Sequence, residues 1–525
     1  MWRWVTMRTD VASGPWCSAS WRRALLSCSV ASWAVACATP RNDIVFDGVT
    51  VVDGTGASAR VVDVGVRDGT IAQIGDGLSG DTVIDGRGLV LAPGFIDTHS
   101  HHDRGLEDAP DAVAVVSQGI TTIIVGQDGG SPHPLADFFA QLTATPAAIN
   151  VASFSGHNTL RDRVLVDDFR RAAGDQEIER MRALLEADLA AGALGLSTGL
   201  EYDPGIYATT DEVVALARVA SAAGARYASH LRSEDRRLQE ALEEAILIGR
   251  EADVPVHISH LKLAMRSLFG RAADVVALLD SARAEGVRVS ADVYPYEYWQ
   301  STMTVLFPDR DFESRRTAEF ALTELTSPEG MIIAQYDPDP AYVGMTLAQV
   351  AERRGQEPAA AYLALIAESQ AMAQRLGRGT ESVIARSMHE DDIATLLAWP
   401  HSNVCTDGGL RGRHPRGFGA FPRVIRQLVR ERGVMTLEEA IRSMTSQAAQ
   451  NVGIPARGRI VEGAPADLVL FDRNEIADRA TPEDPNATSV GIRGVWVNGV
   501  QVWDGETPTG ARPGRVIRRA SPGEV

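Results

Sequence analysis

From Gly94 to Gly408 the chain alternates short apolar runs with amphipathic stretches, and that alternation limits its fold more than any other feature. The runs are Gly94–His101, Thr121–Gly126, Ala148–His157, Ala193–Leu200, Ala225–Arg232, Val254–Lys262, Val287–Tyr296 and Ser402–Gly408. Between them, Glu177–Ala190, Asp211–Ala223, Leu238–Ala252 and Ala272–Ala284 carry apolar residues at three-and-four spacing, the period of a helix with one buried face. Repeated βα units specify a parallel sheet. Eight of them predict an α/β fold of the (β/α)8 barrel type, whose active site lies at the C-terminal ends of the strands. Roughly a hundred residues, about 297–400, separate the last two strands, far more than one crossover helix needs. A helical insertion over the barrel mouth is expected there.

Polar residues gather at the predicted strand ends. Strand one ends in His99 and His101; in extended backbone these share a face, and two imidazoles side by side can clip one cation. Gln127 and Asp128 follow strand two, His157 ends strand three, His230 lies near the end of strand five, and His260 with Lys262 near that of strand six. Asp292 and Tyr294 lie on strand seven, and strand eight ends Cys405-Thr406-Asp407-Gly408. Several histidines and a carboxylate meeting at one barrel mouth point to a metal-dependent barrel. On strand six, Ile258, His260 and Lys262 share a face by alternation. If His260 looks inward, His257 looks toward the helices. His102, His257, His389 and His401 are therefore assigned structural or solvent roles. His133 and His414 fall in Gly/Pro-rich loops at the mouth and stay open. His157 either lines the pocket or holds a loop.

Before and after the barrel, 41–92 and 455–518 read as short half-buried strands with turn signals at Asp53-Gly54, Asp68-Gly69 and Asp85-Gly86. They are expected to form one small β-sandwich domain from both chain ends, flanking a barrel of 93–454. Residues 1–40 read as an export leader: Arg22-Arg23, an apolar stretch from Ala24 to Ala36, then Cys37. Ala34-Val35-Ala36 suits a cleavage site, and with Cys37 it also resembles a lipoprotein box. The expected location is therefore periplasmic or secreted, with a lipid anchor at Cys37 as one option. Cys17, Cys28 and Cys37 lie in that leader, so only Cys405 remains beyond it and no disulfide framework is expected. A net charge of −18 without a basic stripe argues against nucleic-acid partners.

With these residues in place the chain resembles the amidohydrolase superfamily, and within it the D-aminoacylase (N-acyl-D-amino-acid deacylase) branch, from about Asp43 to Asp504. The resemblance is carried by Pro93–Asp103 with its His-x-His, Gly119-Ile120-Thr121-Thr122, and Gly156-His157-Asn158-Thr159-Leu160-Arg161. Gly195-Leu196-Ser197-Thr198-Gly199-Leu200, Ser259-His260-Leu261-Lys262 and Thr406-Asp407-Gly408 complete it. It implies a zinc enzyme, with one ion or two, that hydrolyses the amide of an N-acyl-D-amino acid. His99, His101, His230 and His260 would hold the metal, and Asp407 would join them and shuttle protons. Lys262, Tyr294 and Arg416 would bind the substrate carboxylate. The branch usually has a bridging cysteine after strand two, where this chain has Asp128, a harder donor that either bridges two ions or leaves one. Lys262 is the only lysine in the chain, which excludes a carboxylated lysine on strand four; Ser197, Thr198 and Glu201 stand there instead. The expected partner is a small N-acyl amino acid or short peptide. Alternatives are a D-residue dipeptidase or cyclic-imide hydrolase on the same scaffold, or a secreted binding protein without catalysis.

Overall fold

The computed structural model describes residues 41–519, Pro455 apart. The leader with Cys17, Cys28 and Cys37, and the lipid anchor expected there, lie outside the described residues.

Eight parallel strands form the barrel. Phe95–Asp97, Ile120–Val125 and Asn150–Ser153 pair in sequence, and the third continues into Ser155–Gly156. That short piece pairs with Gly195–Gly199, which is followed by Arg226–His230, Val256–Ile258, Val289–Val293 and Ser402–Val404, each parallel to the one before. The last strand closes on the first beyond the regular ladder: the Asp407 amide donates to the His99 carbonyl and the His101 amide to the Gly408 carbonyl, both at 2.9 Å. Strands covered on both faces are apolar almost throughout, as in Ile120–Val125, where every residue is buried.

The helices between strands bury the stripes their spacing promises. Leu238–Ala252 buries Leu238, Leu242, Ile246 and Ile248. Thr210–Ala222 begins where the Thr209 hydroxyl accepts from the Glu212 amide, which satisfies one of the donors a helix start leaves free.

The strands stop short of the functional residues. Strand one ends at Asp97 and strand six at Ile258, so His99, His101 and His260 stand on the loops beyond. This overturns one expectation. His260 has φ 35°, a left-handed turn residue, so strand alternation no longer relates it to His257. His257 bonds through Nε2 to Asp292 Oδ2 at 2.8 Å. The same Asp292 oxygen accepts from the Thr98 hydroxyl of the first strand's loop at 3.0 Å, a span that an inward-facing side chain makes. His257 therefore faces the barrel interior rather than the helices, with a structural role.

Both chain ends build the small domain as one eight-stranded sheet. Asn42–Val51 pairs with Arg60–Arg67, Gly80–Asp85 and Val90–Pro93, and Arg60–Arg67 with Thr70–Gly75; Val90–Pro93 then pairs with Leu468–Phe471, which leads to Ile492–Val497 and Val500–Trp503. The sheet folds over a core in which Phe46 and Trp496 meet edge to face at 4.8 Å. Such a pair adds roughly 0.5–1.5 kcal/mol beyond its buried area.

The insertion after strand seven holds the expected helices, among them Leu347–Arg354 and Pro358–Leu376. It also holds a three-stranded antiparallel sheet of Tyr298–Ser301, Glu381–Arg386 and Met331–Tyr336, which the helical expectation missed. Gln300, Ser301 and Ser382 on that sheet, with Thr302 just after it, face the barrel mouth and make it a wall of the site.

Candidate metal and substrate site

At the C-terminal end of the barrel, Asp128 lies at the centre of a ring of imidazoles. Its Oδ1 is 3.2 Å from His260 Nε2, 3.4 Å from His99 Nε2 and 3.8 Å from His230 Nδ1. Its Oδ2 is 3.2 Å from His101 Nε2. Across the ring, Asp407 Oδ1 stands 3.6 Å from His99 Nε2 and 3.3 Å from His101 Nε2. The structure thus brings His99, His101, Asp128, His230, His260 and Asp407 to one point.

The local backbone is bent to present them. Asp128 (φ 55°), His260 (φ 35°) and Asp407 (φ 47°) are three of the nine non-glycine residues with positive φ among those described. Such conformations cost of order 1–3 kcal/mol each and persist where the surroundings enforce them. The enforcement is visible. Asp292 Oδ1 accepts from the His260 amide at 2.5 Å, and Asp97 accepts from the Thr406 amide at 2.9 Å and its hydroxyl at 2.6 Å. Gly129, next to Asp128, has φ 73°, and a Cβ there would lie 2.3 Å from Asn158 Oδ1 and 2.8 Å from the Gly199 amide, so only glycine fits.

The donor set fits a divalent cation. His99 is fully buried, yet neither of its ring nitrogens has a hydrogen-bond partner. An orphan of that kind is costly unless something absent from the protein atoms satisfies it. Burial pushes the His99 imidazole below its usual pKa and keeps its lone pair free. Burial alone would raise Asp128, but His99 and His260, with hydrogen bonds from His101 and His260, hold it well below the carboxylate range. Donor atoms of His99, Asp128, His260 and Asp407 all lie within 4.8 Å of one another, as do those of His230, Glu234 and His260. Imidazole nitrogens with carboxylate oxygens make a set suited to zinc. Asp128 turns one oxygen toward His99 and His260 and the other toward His101.

Two further carboxylates, given no role from sequence, hold the outer nitrogens of the ring. Glu201 Oε2 lies 3.0 Å from His230 Nε2. Glu234 Oε1 lies 2.9 Å from His260 Nδ1 and accepts from Lys262 Nζ at 2.5 Å. Partners of this kind fix the orientation of a metal-binding imidazole and raise its basicity. Their signal in the sequence was position: Glu201 directly follows strand four, and Glu234 lies four residues past His230.

Beside the ring, a small cavity of about 40 Å³ is lined by Lys262, Tyr294 and Arg416, with Trp299, Val305, Leu306 and Leu325. The Tyr294 hydroxyl and Arg416 Nε are buried without partners. The Arg416 guanidinium lies over the Tyr294 ring, 4.7 Å from its centroid, and Arg416 Nη1 is 2.7 Å from Asp407 Oδ2. Burial would raise Asp407, but Arg416 and the imidazoles hold it well below the usual range, so it is ionised. A larger cavity of about 440 Å³ opens from His101, Asp128 and Asp407 to solvent.

His157 is not part of this arrangement, which corrects its expected contact with substrate. It is fully buried at the start of helix His157–Leu165, its Nε2 2.9 Å from Glu212 Oε1, which also takes Arg161 Nη1 at 2.6 Å. That buried cluster anchors the helix whose next residue, Asn158, donates to the Gly199 carbonyl at 3.1 Å behind the Asp128 turn. Of the two open histidines, His414 lines the larger cavity and bonds the Tyr298 carbonyl, whereas His133 pairs with Asp188.

Comparison with known proteins agrees with this geometry. The amidohydrolase family model matches residues 82–279 and 317–503. D-aminoacylase of Alcaligenes xylosoxydans xylosoxydans is 38% identical over 506 residues, spanning 91% of this chain and 98% of its own. N-acyl-D-aspartate deacylase of the same organism is 39% identical over 511 residues, spanning 92% and 96%. The solved structure of N-acyl-D-glutamate deacylase from Bordetella bronchiseptica, complexed with zinc and a phosphonate mimic of the tetrahedral intermediate, superposes with a TM-score of 0.81 at 36% identity, covering 91% of this chain and all of that one. The chain belongs to the amidohydrolase family.

Proposed function

We propose that this protein is a zinc-dependent deacylase that cleaves the amide of N-acyl-D-amino acids with uncharged side chains. One observation carries the reading. A ring of four imidazoles and two carboxylates adjoins a cavity where Lys262, the partnerless Tyr294 hydroxyl and Arg416 await a carboxylate. The identities to D-aminoacylase and N-acyl-D-aspartate deacylase support it.

His99, His101, Asp128, His230 and His260 would hold zinc, with Asp407 beside it. Bound there, zinc would supply Lewis acidity for the amide carbonyl and would lower the pKa of water toward ~7. The Asp407 carboxylate accepts the proton as the water oxygen bonds to the carbonyl carbon. It then delivers that proton to the amide nitrogen as the C–N bond breaks, releasing a carboxylate and an amine. Lys262, Tyr294 and Arg416 hold the α-carboxylate, as a compact ammonium and a planar guanidinium do well together. The side chain enters the space bounded by Trp299, Val305, Leu306 and Leu325. Carboxylate, carbonyl and side chain are then fixed at three points, which selects one hand of the α-carbon. Glu201, Glu234 and Asp235 on the same cavity repel an acidic side chain.

Export follows from the reading of the leader at Arg22 to Cys37, and fractionation of cells with a tagged chain tests it. Zinc-reconstituted enzyme assayed on N-acetyl-D-leucine, N-acetyl-L-leucine, N-acetyl-D-aspartate, a D-residue dipeptide and a hydantoin tests the activity. The expected order places N-acetyl-D-leucine first. Turnover of the dipeptide or hydantoin alone would overturn the reading.

A further inference from the structure

The large cavity carries a feature the reaction itself does not use. Arg104 and Arg411 both line it, both are exposed, and among the described residues neither guanidinium makes a hydrogen bond or ion pair. They come from the loops after strands one and eight, which are tied together by the hydrogen bonds from the Asp407 amide to His99 and from the His101 amide to Gly408. The two cations therefore sit on neighbouring loops at the rim of one cavity that starts at His101, Asp128 and Asp407. Elsewhere on the wall Gln300, Ser301, Thr302 and Ser382 are polar but uncharged. In a chain of net charge −18, that pairing is a local reversal of sign.

The rest of the site fixes what part of a substrate reaches these arginines. Lys262 and Tyr294 line only the small cavity and His101 and Asp128 only the large one, while Tyr202, Gln300, Ser301, Asp407 and Arg416 line both, so the two open into one another. On the deacylase reading, on which this inference rests, the α-carboxylate of the substrate is held by Lys262 and Tyr294 at the small cavity. With the carboxylate at that end and Asp407 at the scissile amide, the acyl chain beyond the amide extends along the large cavity. A volume of about 440 Å³ is far more than an acetyl group fills.

We propose that the acyl cavity selects acyl chains ending in a carboxylate, which Arg104 and Arg411 hold at the rim. Arginine pairs with carboxylates through parallel N–H donors, and rim charges also steer anions inward. The ligand class is thus the N-(dicarboxylic monoacyl)-D-amino acid, of which N-succinyl-D-leucine is the simplest probe.

The test compares N-succinyl-D-leucine with N-butanoyl-D-leucine, which has the same four-carbon chain without the terminal charge. The succinyl substrate is expected to have kcat/KM higher by ~10-fold or more, a margin one charge-assisted contact provides. In the double variant Arg104→Gln/Arg411→Gln that ratio is expected to fall toward one, with zinc content and thermal midpoint checked on the same preparation. Raising the salt from 50 to 500 mM should also shrink the ratio. Equal kcat/KM for the two substrates, or a preference for succinyl that survives the double substitution, would overturn the proposal while leaving the deacylase intact. Failure to hydrolyse either of them, and N-acetyl-D-leucine as well, would remove the deacylase reading and this inference with it.

Discussion

Glu201 Oε2 sits 3.0 Å from His230 Nε2, so the other ring nitrogen, Nδ1, is the one turned toward Asp128 and His260. The carboxylate fixes which nitrogen of His230 can serve as a ligand. Replacing Glu201 with Gln keeps a hydrogen bond but removes the charge that raises the basicity of the imidazole. Zinc affinity in Glu201→Gln, measured by competition with a chromophoric chelator, is expected to fall ~10-fold, and in Glu201→Ala up to ~100-fold. Wild-type affinity in the Ala variant would show that Glu201 merely packs against the ring.

Asp407 is clamped by Arg416 on one oxygen and faces His99 and His101 with the other. Asn in its place preserves the shape and removes the base. Asp407→Asn is expected to lower kcat by ~10² or more with the zinc content near that of the wild type. Near-normal turnover with the metal retained would assign the proton transfer to another group.

As a ligand, Asp128 would set the hardness of the centre. A thiolate at this position is softer and favours zinc over manganese relative to a carboxylate. Asp128→Cys is expected to raise the zinc-to-manganese affinity ratio, read by calorimetry with each ion. The substitution costs folding stability, roughly 1–2 kcal/mol, because residue 128 has φ 55°, but that cost is common to both ions and leaves the ratio untouched. An unchanged ratio would mean that Asp128 does not touch the ion.

The parts of this structure that were legible in the chain are those written by local periodicity. Ile120–Val125 and its companions are apolar because both faces are covered, and the helices between them carry three-and-four spacing, so the barrel could be counted out. His99, His101 and Asp407 could be found because they follow directly on those strands. What escaped depends on the path of the chain after the strand. The left-handed turn at His260 breaks the alternation that would relate it to His257. Glu234 matters only because its loop folds back onto His260 and Lys262, a contact with no local signature. His157 looked like a pocket residue because it ends a strand run, but a helix starts there and turns the ring onto Glu212.

Lys262, the only lysine, is buried against Glu234 and lies 2.8 Å from His260 Nδ1. Removing it leaves Glu234 its contact with His260 Nδ1 at 2.9 Å, so the imidazole keeps its carboxylate partner. Lys262→Met removes the ammonium, keeps most of the volume and leaves Glu234 on His260, with zinc content measured on the same preparation. Its KM for N-acetyl-D-leucine is expected to rise ~10-fold or more with a smaller change in kcat. An N-acetylated amine that lacks the α-carboxylate should show no such rise. Parallel losses on both compounds would place Lys262 in the support of His260 rather than in contact with substrate.

Glu381, on the insertion sheet, accepts from the Met303 amide with both carboxylate oxygens, at 3.0 and 2.9 Å. Burial raises its pKa from 4.5 to about 7 despite that hydrogen bond. The folded state therefore holds this proton more tightly than the unfolded chain does, and stability contributed by the protonated form is lost as pH rises from about 4.5 through about 7. Glutamine keeps an acceptor for the Met303 amide and has no proton to lose. Glu381→Gln is expected to be more stable than the wild type at pH 8, by on the order of 1–2 kcal/mol, and equal to it near pH 4.5. Urea unfolding at the two pH values, followed by tryptophan emission, measures the difference. A variant less stable than the wild type at pH 8 would show that the ionised carboxylate, not its neutral form, is what the insertion needs at Met303.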